Sequence, residues 1–324
     1  MVTLERRSRS VAQWSLVGCL ALVLGTPGWS EAQTRFSGIV VFGTSLSDPG
    51  NAFALVGDAN TPADFDLNPL LVPTAPYAKG GHHCSNGATW VEQYASSVGL
   101  GDSVKAALAT TDPAVTNYAV GAARAYNDGV NFNLTQQTDM FLARSGGVAS
   151  SQSLYIIEMG GNDVRDAFQA YATGGNGAPI LGQALASIAA NIQKLYGAGA
   201  REFLVWTAPN VGLTPAIRSL GQNAQGLAGF VAQAFNGGLA GVVAQLEGGL
   251  PGVRFVTLDA YQILDAIVTN PGGFGLTTVT TACVTPNVAP FSCKNADTYL
   301  FWDGIHPTKA GHAILARETA LVLQ

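Results

Sequence analysis

Ser37-Gly38-Ile39-Val40-Val41-Phe42-Gly43-Thr44-Ser45-Leu46-Ser47-Asp48 sets a short apolar run directly against a turn of Gly, Thr, Ser and Asp. Ser37 to Phe42 lacks apolar/polar alternation, which is the pattern of a strand buried on both faces. Four further runs share that character and are bounded by Gly, Pro, Asn or Asp: Val115 to Val120, Leu154 to Met159, Glu202 to Trp206 and Val253 to Leu258. Between them lie stretches with helical spacing, notably Thr89 to Val98, Leu181 to Tyr196, Ala224 to Leu246 and Lys309 to Leu323. Repeated glycines between Gly221 and Gly249 weaken the helical reading there. The alternation predicts an α/β fold whose parallel sheet of five strands is covered by helices on both faces. Asn51 to Tyr77 has no periodicity and reads as a long functional loop.

Of the 324 residues, 48% are apolar and only 11% charged, and 16 basic against 21 acidic side chains give a net charge of −5. No basic stripe is available to neutralise a phosphate backbone, which argues against a nucleic-acid partner. The mean hydropathy of +0.23 raises the question of a membrane protein. A span needs roughly 18 or more consecutive apolar residues, and the comparable run, Leu16 to Gly25, stands near the N-terminus behind Arg6, Arg7 and Arg9. Small residues at Ser30 and Ala32 complete a signal-peptide pattern. The expectation is cleavage after Ala32, a single domain over 33–324, no transmembrane segment in the mature chain and a secreted or periplasmic protein. A rival reading makes Leu16-Val17-Gly18-Cys19 a lipoprotein box with Cys19 lipidated.

Cys84, Cys283 and Cys293 remain after cleavage. The last two flank a Pro-containing loop and suit a local disulfide in an oxidising compartment. Cys84 reads as a buried or unpaired thiol in preference to a catalytic one. His82 and His83 beside it do not make a metal site, since no Cys or His stands at zinc-finger spacing.

Ligands of open parallel sheets bind beyond the carboxyl ends of the strands. There the chain places Gly43-Thr44-Ser45-Leu46-Ser47-Asp48, then Gly121-Ala122-Ala123, then Gly160-Gly161-Asn162-Asp163, and near the C-terminus Asp303-Gly304-Ile305-His306-Pro307. A serine hydroxyl becomes a nucleophile when an imidazole takes its proton, and the imidazole needs a carboxylate to fix its tautomer. Ser45, His306 and Asp303 can fill these roles, and the spacing of three puts carboxylate and imidazole on one side of a turn. The Ser45 amide, an amide of the Gly121 turn and the Asn162 side chain can serve as oxyanion donors.

In this order the motifs resemble the GDSL, or SGNH, hydrolases: Gly43 to Asp48 is similar to block I, Asn117 to Gly121 to block II, Gly160 to Asp163 to block III, and Asp303 to His306 to block V. Ser85-Asn86-Gly87 with Trp90-Val91-Glu92, and Tyr299 to Asp303, resemble the branch holding plant GDSL lipases and bacterial phospholipase or hemolysin-like esterases. The resemblance implies a flavodoxin-like three-layer α/β/α sandwich, Ser45 as nucleophile, Asp303 and His306 as its partners, and Ser45, Gly121 or Ala122, and Asn162 as the oxyanion hole. No Gly-Xaa-Ser-Xaa-Gly elbow occurs around Ser45, which disfavours the α/β-hydrolase fold.

Two positions depart from the family pattern. Thr44 replaces the Asp of the GDSL motif, so the charge of that Asp is expected to be absent. Ala122 stands where many relatives have a second Gly, which leaves open whether Gly121 or Ala122 donates its amide. Asp48 and Asn51 are expected to brace the serine loop, Asp303 is preferred to Asp163 as the acid, and His312 is expected to be structural. Phe301 and Trp302 are candidates for an acyl pocket, with core packing as the alternative. Asn133-Leu134-Thr135 has the form of a glycosylation acceptor.

The expected function is an exported serine esterase or lipase that acts on a small-molecule ester or lipid through an acyl-serine intermediate, without metal or organic cofactor. Two alternatives keep the scaffold: an acyltransferase with the same site, and a catalytically silent surface protein that binds lipid or glycan.

Overall fold

The computed structural model describes residues 36–56, 82–284 and 293–324. The signal-peptide pattern, Cys19 and all but the start of the Asn51 to Tyr77 segment lie outside them. Gln33–Gln324 forms one compact unit.

Four strands, β1 (Gly38–Gly43), β2 (Ser153–Glu158), β3 (Glu202–Trp206) and β4 (Arg254–Leu258), form a parallel sheet in the order β1-β2-β3-β4. Because side chains alternate across a strand, each one feeds two cores. Val40, Phe42, Tyr155, Ile157, Phe203 and Val205 face one layer. Ile39, Val41, Leu154, Ile156, Leu204 and Trp206 face the other.

The first layer is built by α3 (Leu134–Arg144), α4 (Gly161–Ala172), α5 (Ala178–Ala198) and α7 (Gln222–Gly249), through apolar stripes such as Leu181, Ala184, Ile188, Ile192 and Leu195 of α5. The second is built by α2 (Trp90–Ser97) and α9 (Lys309–Val322). Short helices α1 (Asn51–Val56) and α6 (Pro215–Arg218), helix α8 (Ala260–Thr269), and a parallel pair β5 (Thr278–Ala282) and β6 (Tyr299–Phe301) complete the described residues. This is the α/β/α arrangement that the apolar runs predict. Despite its glycines, α7 is one continuous 28-residue helix. At its Gly238 an added Cβ would run into Leu185 of α5, so the bare backbone lets the two helices approach closely.

Of the five expected strands four are regular among the described residues, and Val115 to Val120 lies beside β1 in the fifth place without forming a regular strand. Backbone bonds from Val41 N to Thr116 O (3.0 Å), Tyr118 N to Val41 O (2.8 Å) and Val120 N to Gly43 O (3.1 Å) do follow a parallel ladder. On the outer edge, side chains interrupt the regular pattern. Asn117 Oδ1 accepts from Ala119 N at 3.0 Å, and Asn51 Nδ2 donates to the carbonyls of Asn117 and Ala119, each at 2.8 Å. Asn117 in mid-run and Asn51 outside it have taken backbone partners that a neighbouring strand would use.

The start of the expected long loop is also corrected, since Asn51–Val56 is helical. Asn133 is buried, with Oδ1 accepting from Arg124 N at 2.8 Å and Nδ2 donating to Asp128 Oδ1 at 2.7 Å. Held in that way, it is not presented for glycosylation.

Candidate active site

Ser45 begins the turn that follows β1. The turn is held from three sides. Gln137 of α3 pins Gly43 in both directions, accepting from its N–H and donating to its carbonyl, each at 2.9 Å. Glu158, the last residue of β2, accepts from Thr44 N at 2.9 Å, from Thr44 Oγ1 at 3.0 and 3.1 Å, and from Ser47 Oγ at 3.0 Å. Ser47 Oγ in turn accepts from Trp90 Nε1 at 2.9 Å. A Cβ on Gly43 would stand 2.9 Å from Glu158 Oε2, so the carboxylate and the serine turn meet over a bare backbone. Burial pushes the Glu158 carboxyl up to about 7, against the opposing pull of the hydrogen bonds from Thr44 and Ser47.

The charge of the motif's Asp is absent at position 44, as expected, and the carboxyl group beside the serine turn comes instead from Glu158 of the neighbouring strand. Thr44 is the hydroxyl that binds it.

His306 and Asp303 lie in the loop between β6 and α9. That loop is tied at its base by Trp302 N donating to His306 O and Thr308 N to Leu300 O, both at 2.8 Å. Asp303 Oδ1 accepts from the backbone N–H of Ile305 (2.9 Å) and His306 (2.7 Å), which turns the chain so that the imidazole folds back over its own carboxylate. His306 Nδ1 is 2.8 Å from Asp303 Oδ2, and Nε2 is 2.8 Å from Ser45 Oγ. An Nδ1–H facing the carboxylate leaves the Nε2 lone pair toward the serine hydroxyl. Cys283 and Cys293 form a disulfide, with Cα atoms 5.5 Å apart. Cys283 N donates to Phe301 O (3.0 Å) and Val284 N to Trp302 O (2.9 Å), so this cystine segment runs alongside the residues that lead into Asp303.

Asp48 links the serine turn to the Gly121 turn. Oδ1 accepts from Gly50 N (2.7 Å) and Asn51 N (2.5 Å), and Oδ2 accepts from Ala52 N (3.0 Å) and Gly121 N (2.7 Å). Burial raises its carboxyl above the ordinary range, opposed by these four amides. The Gly121 N–H is thus already engaged. Ala122 follows in the left-handed region at φ 66°, and its N–H has no acceptor among the described residues. The Ser45 N–H likewise has none.

Asn162 opens α4, where Gly160 at φ 110° makes a turn whose Cβ position is filled by the Phe235 ring. One Asn162 amide hydrogen is held by Ala123 O at 2.8 Å, which leaves the second available. Asp163 and His312 make no hydrogen bond to the His306 imidazole. Asp163 accepts from Ala125 N (3.0 and 3.1 Å) and Tyr126 N (3.2 Å), and burial raises it to about 6. Buried His312 is pushed down to about 3 by desolvation and by its neighbours His306 and His83, and so stays neutral.

A cavity opens beside Ser45 at the carboxyl ends of the strands, walled by Leu46, Ile263, Leu264, Ile267, Phe301 and Leu315, with Asn162 and Arg165 also lining it. Phe301 lines this cavity, whereas Trp302 packs on Val284. Among the described residues no group of three or more His, Cys, Asp or Glu could hold a metal ion. Sequence reasoning passed over Glu158, Gln137 and Arg165. A lone Glu inside the apolar run Leu154 to Met159 was the available signal for the first. Gln137 lies in a stretch whose spacing says only helix.

Residues 39–319 match the family of GDSL-like lipases and acylhydrolases. A GDSL esterase/lipase of Arabidopsis thaliana, At1g29670, is 25% identical over 350 residues, covering 93% of this chain and 92% of that protein. A second, At2g04570, is 32% identical over 181 residues, and the match spans about half of each, 51% of this chain and 52% of that protein. The extracellular lipase of Streptomyces rimosus superposes with a TM-score of 0.38 at 16% identity, over 88% of this chain and 98% of that one. The chain belongs to the GDSL-like lipase/acylhydrolase family.

Proposed function

We propose that the protein is an exported serine esterase that cleaves carboxylic esters through an acyl-Ser45 intermediate. The observation that carries this reading is His306, bridging Asp303 and Ser45 with 2.8 Å contacts on both ring nitrogens. Ser45 Oγ attacks the ester carbonyl carbon while Nε2 takes its proton, and the carbonyl oxygen becomes an oxyanion. The Ser45 and Ala122 amides and the second Asn162 amide hydrogen are its donors, and a lost donor of this kind costs about 10²–10³ in kcat. Collapse breaks the bond to the alcohol oxygen, which leaves with the proton from Nε2. Water then attacks the acyl-serine, gives its proton to Nε2, and the acid departs as Ser45 recovers the hydrogen.

Export is supported by the leader pattern over residues 1–32 and by the Cys283–Cys293 pair, which forms in oxidising compartments. The mature hydrolase domain is then 33–324. The apolar walls beside Ser45 favour an acyl chain of some length.

Labelling with a fluorophosphonate tests the reading: a covalent adduct on Ser45, absent in Ser45→Ala and in His306→Ala, is expected. The two single variants should each lose nearly all turnover, and the double variant little more, since members of such a unit are non-additive. Near-wild-type turnover in either single variant, or no adduct on folded protein, would overturn it. Product analysis with a competing alcohol separates hydrolysis from acyl transfer.

A further inference from the structure

Arg165 is an exception in the cavity beside Ser45, whose walls are mostly hydrocarbon. Its Nε is buried without a hydrogen-bond partner, and among the described residues its guanidinium has neither a hydrogen bond nor an ion pair. The neighbouring carboxylate, Asp166, is committed elsewhere. Arg124 grips it through Nε to Oδ2 (2.8 Å) and Nη2 to Oδ1 (3.0 Å), and Tyr126 OH donates to Oδ2 at 3.1 Å. Burial pulls Arg165 down to about 10, with Arg124 adding to the effect and Asp166 opposing it, so it stays charged at neutral pH. A guanidinium whose Nε is buried without an acceptor is costly to maintain in a fold. Trp206 lines the same cavity, and its indole Nε1 is also buried without an acceptor among the described residues.

Both unsatisfied groups are donors, and they share a cavity with the serine. Arg165 stands three residues after Asn162 on α4, a spacing that puts the two on one helix face. The hydrocarbon walls come from other elements, Ile263, Leu264 and Ile267 of α8 and Leu315 of α9. The cation therefore belongs to the side that carries Asn162, apart from the wall suited to an acyl tail. We propose that Arg165 forms an anion subsite, and that the preferred substrate is an acyl ester whose alcohol portion carries a carboxylate or phosphate near the ester bond. The substrate class rests on the esterase reading of Ser45, whereas the anion subsite is open to a test that needs no turnover.

The test uses matched esters of one acyl chain: 1-dodecanoylglycerol 3-phosphate against 1-dodecanoylglycerol, and O-dodecanoylglycolate against O-dodecanoylglycolamide. The anionic member is expected to have a kcat/KM higher by on the order of tenfold or more, as for a charge pair formed away from water. Arg165→Gln should bring the ratio close to one, with Arg165→Lys between. Preference in the phosphate pair alone or the glycolate pair alone upholds the subsite and names its anion. Ratios near one in the wild type, or unchanged in Arg165→Gln, overturn the proposal.

Calorimetric binding of dodecyl phosphate and of dodecanol to Ser45→Ala is the second measurement. Tighter binding of the phosphate, lost in Ser45→Ala with Arg165→Gln, keeps the subsite even if no ester is turned over, an outcome that would remove the esterase reading alone. Equal binding of phosphate and alcohol removes the subsite. If Arg165→Gln does not fold, the wild-type ester ratios and the Ser45→Ala binding pair still decide.

Discussion

Thr44 and Glu158 are joined by three hydrogen bonds, from Thr44 N at 2.9 Å and from Thr44 Oγ1 at 3.0 and 3.1 Å, across neighbouring parallel strands. Where the GDSL motif has an acidic residue this turn has a hydroxyl, and the carboxyl group beside it belongs to β2.

The raised carboxyl of Glu158 has a thermodynamic sign. An acid whose folded value lies near 7, above its unfolded 4.5, holds its proton more tightly in the native state, so stability falls as pH rises through that window. The fall attributable to Glu158 is up to about 3 kcal/mol, complete once the pH has risen past about 7. Urea unfolding at successive pH values should show it in the wild type and lack that component in Glu158→Gln. Parallel profiles for the two proteins would contradict the assignment.

Restoring the family's Asp at position 44 should harm this protein. Thr44→Asp brings a second carboxylate against Glu158 in a buried site, with an expected loss of about 2–4 kcal/mol. Glu158→Gln in the same chain should recover roughly half or more of that loss, a coupling that a double-mutant cycle measures directly. Simple additivity would mean that the two positions do not communicate.

Ala122 pays for its left-handed backbone, at φ 66°. Replacing it with Gly removes the Cβ clash and keeps the N–H, so Ala122→Gly should gain up to about 1 kcal/mol in stability with kcat within roughly threefold of wild type. Asn162→Ala should instead lose about 10²–10³ in kcat with a small change in KM. Comparing kcat and KM in the two variants separates a backbone donor from a side-chain donor.

The cystine segment runs beside the strand that leads to Asp303. Replacing Cys283 and Cys293 together by Ala releases a crosslink spanning 10 residues, worth about 2–3 kcal/mol. Thermal unfolding should show the loss, and kcat should fall several-fold, because the loop that orients His306 loses a neighbour. Unchanged kcat with a lower Tm would confine the crosslink to stability.

Much of the scaffold was legible because its strands are short apolar runs such as Ile39 to Phe42, and the four motifs stand at turns whose order is informative. Val115 to Val120 misled for a local reason, since apolar content says nothing about where the Asn117 side chain will bond. The engagement of the Gly121 amide was equally hidden. It depends on Asp48, 73 positions away from Gly121, reaching an amide that sequence cannot place. Glu158 and Arg165 were missed because isolated charges on buried elements acquire meaning only from what they face.

Ser45 and His306 stand 261 positions apart and meet only because β1 and the loop before α9 close on one another across the finished sheet. No contiguous fragment short of nearly the whole domain contains both. During refolding, helix content and core fluorescence can return while this meeting is still outstanding, so hydrolysis should be the last signal to recover, a long-range contact being the slowest to close. A nick that lets either end drift would leave a folded remnant that is silent instead of merely slow, which makes turnover a sensitive gauge of intact assembly.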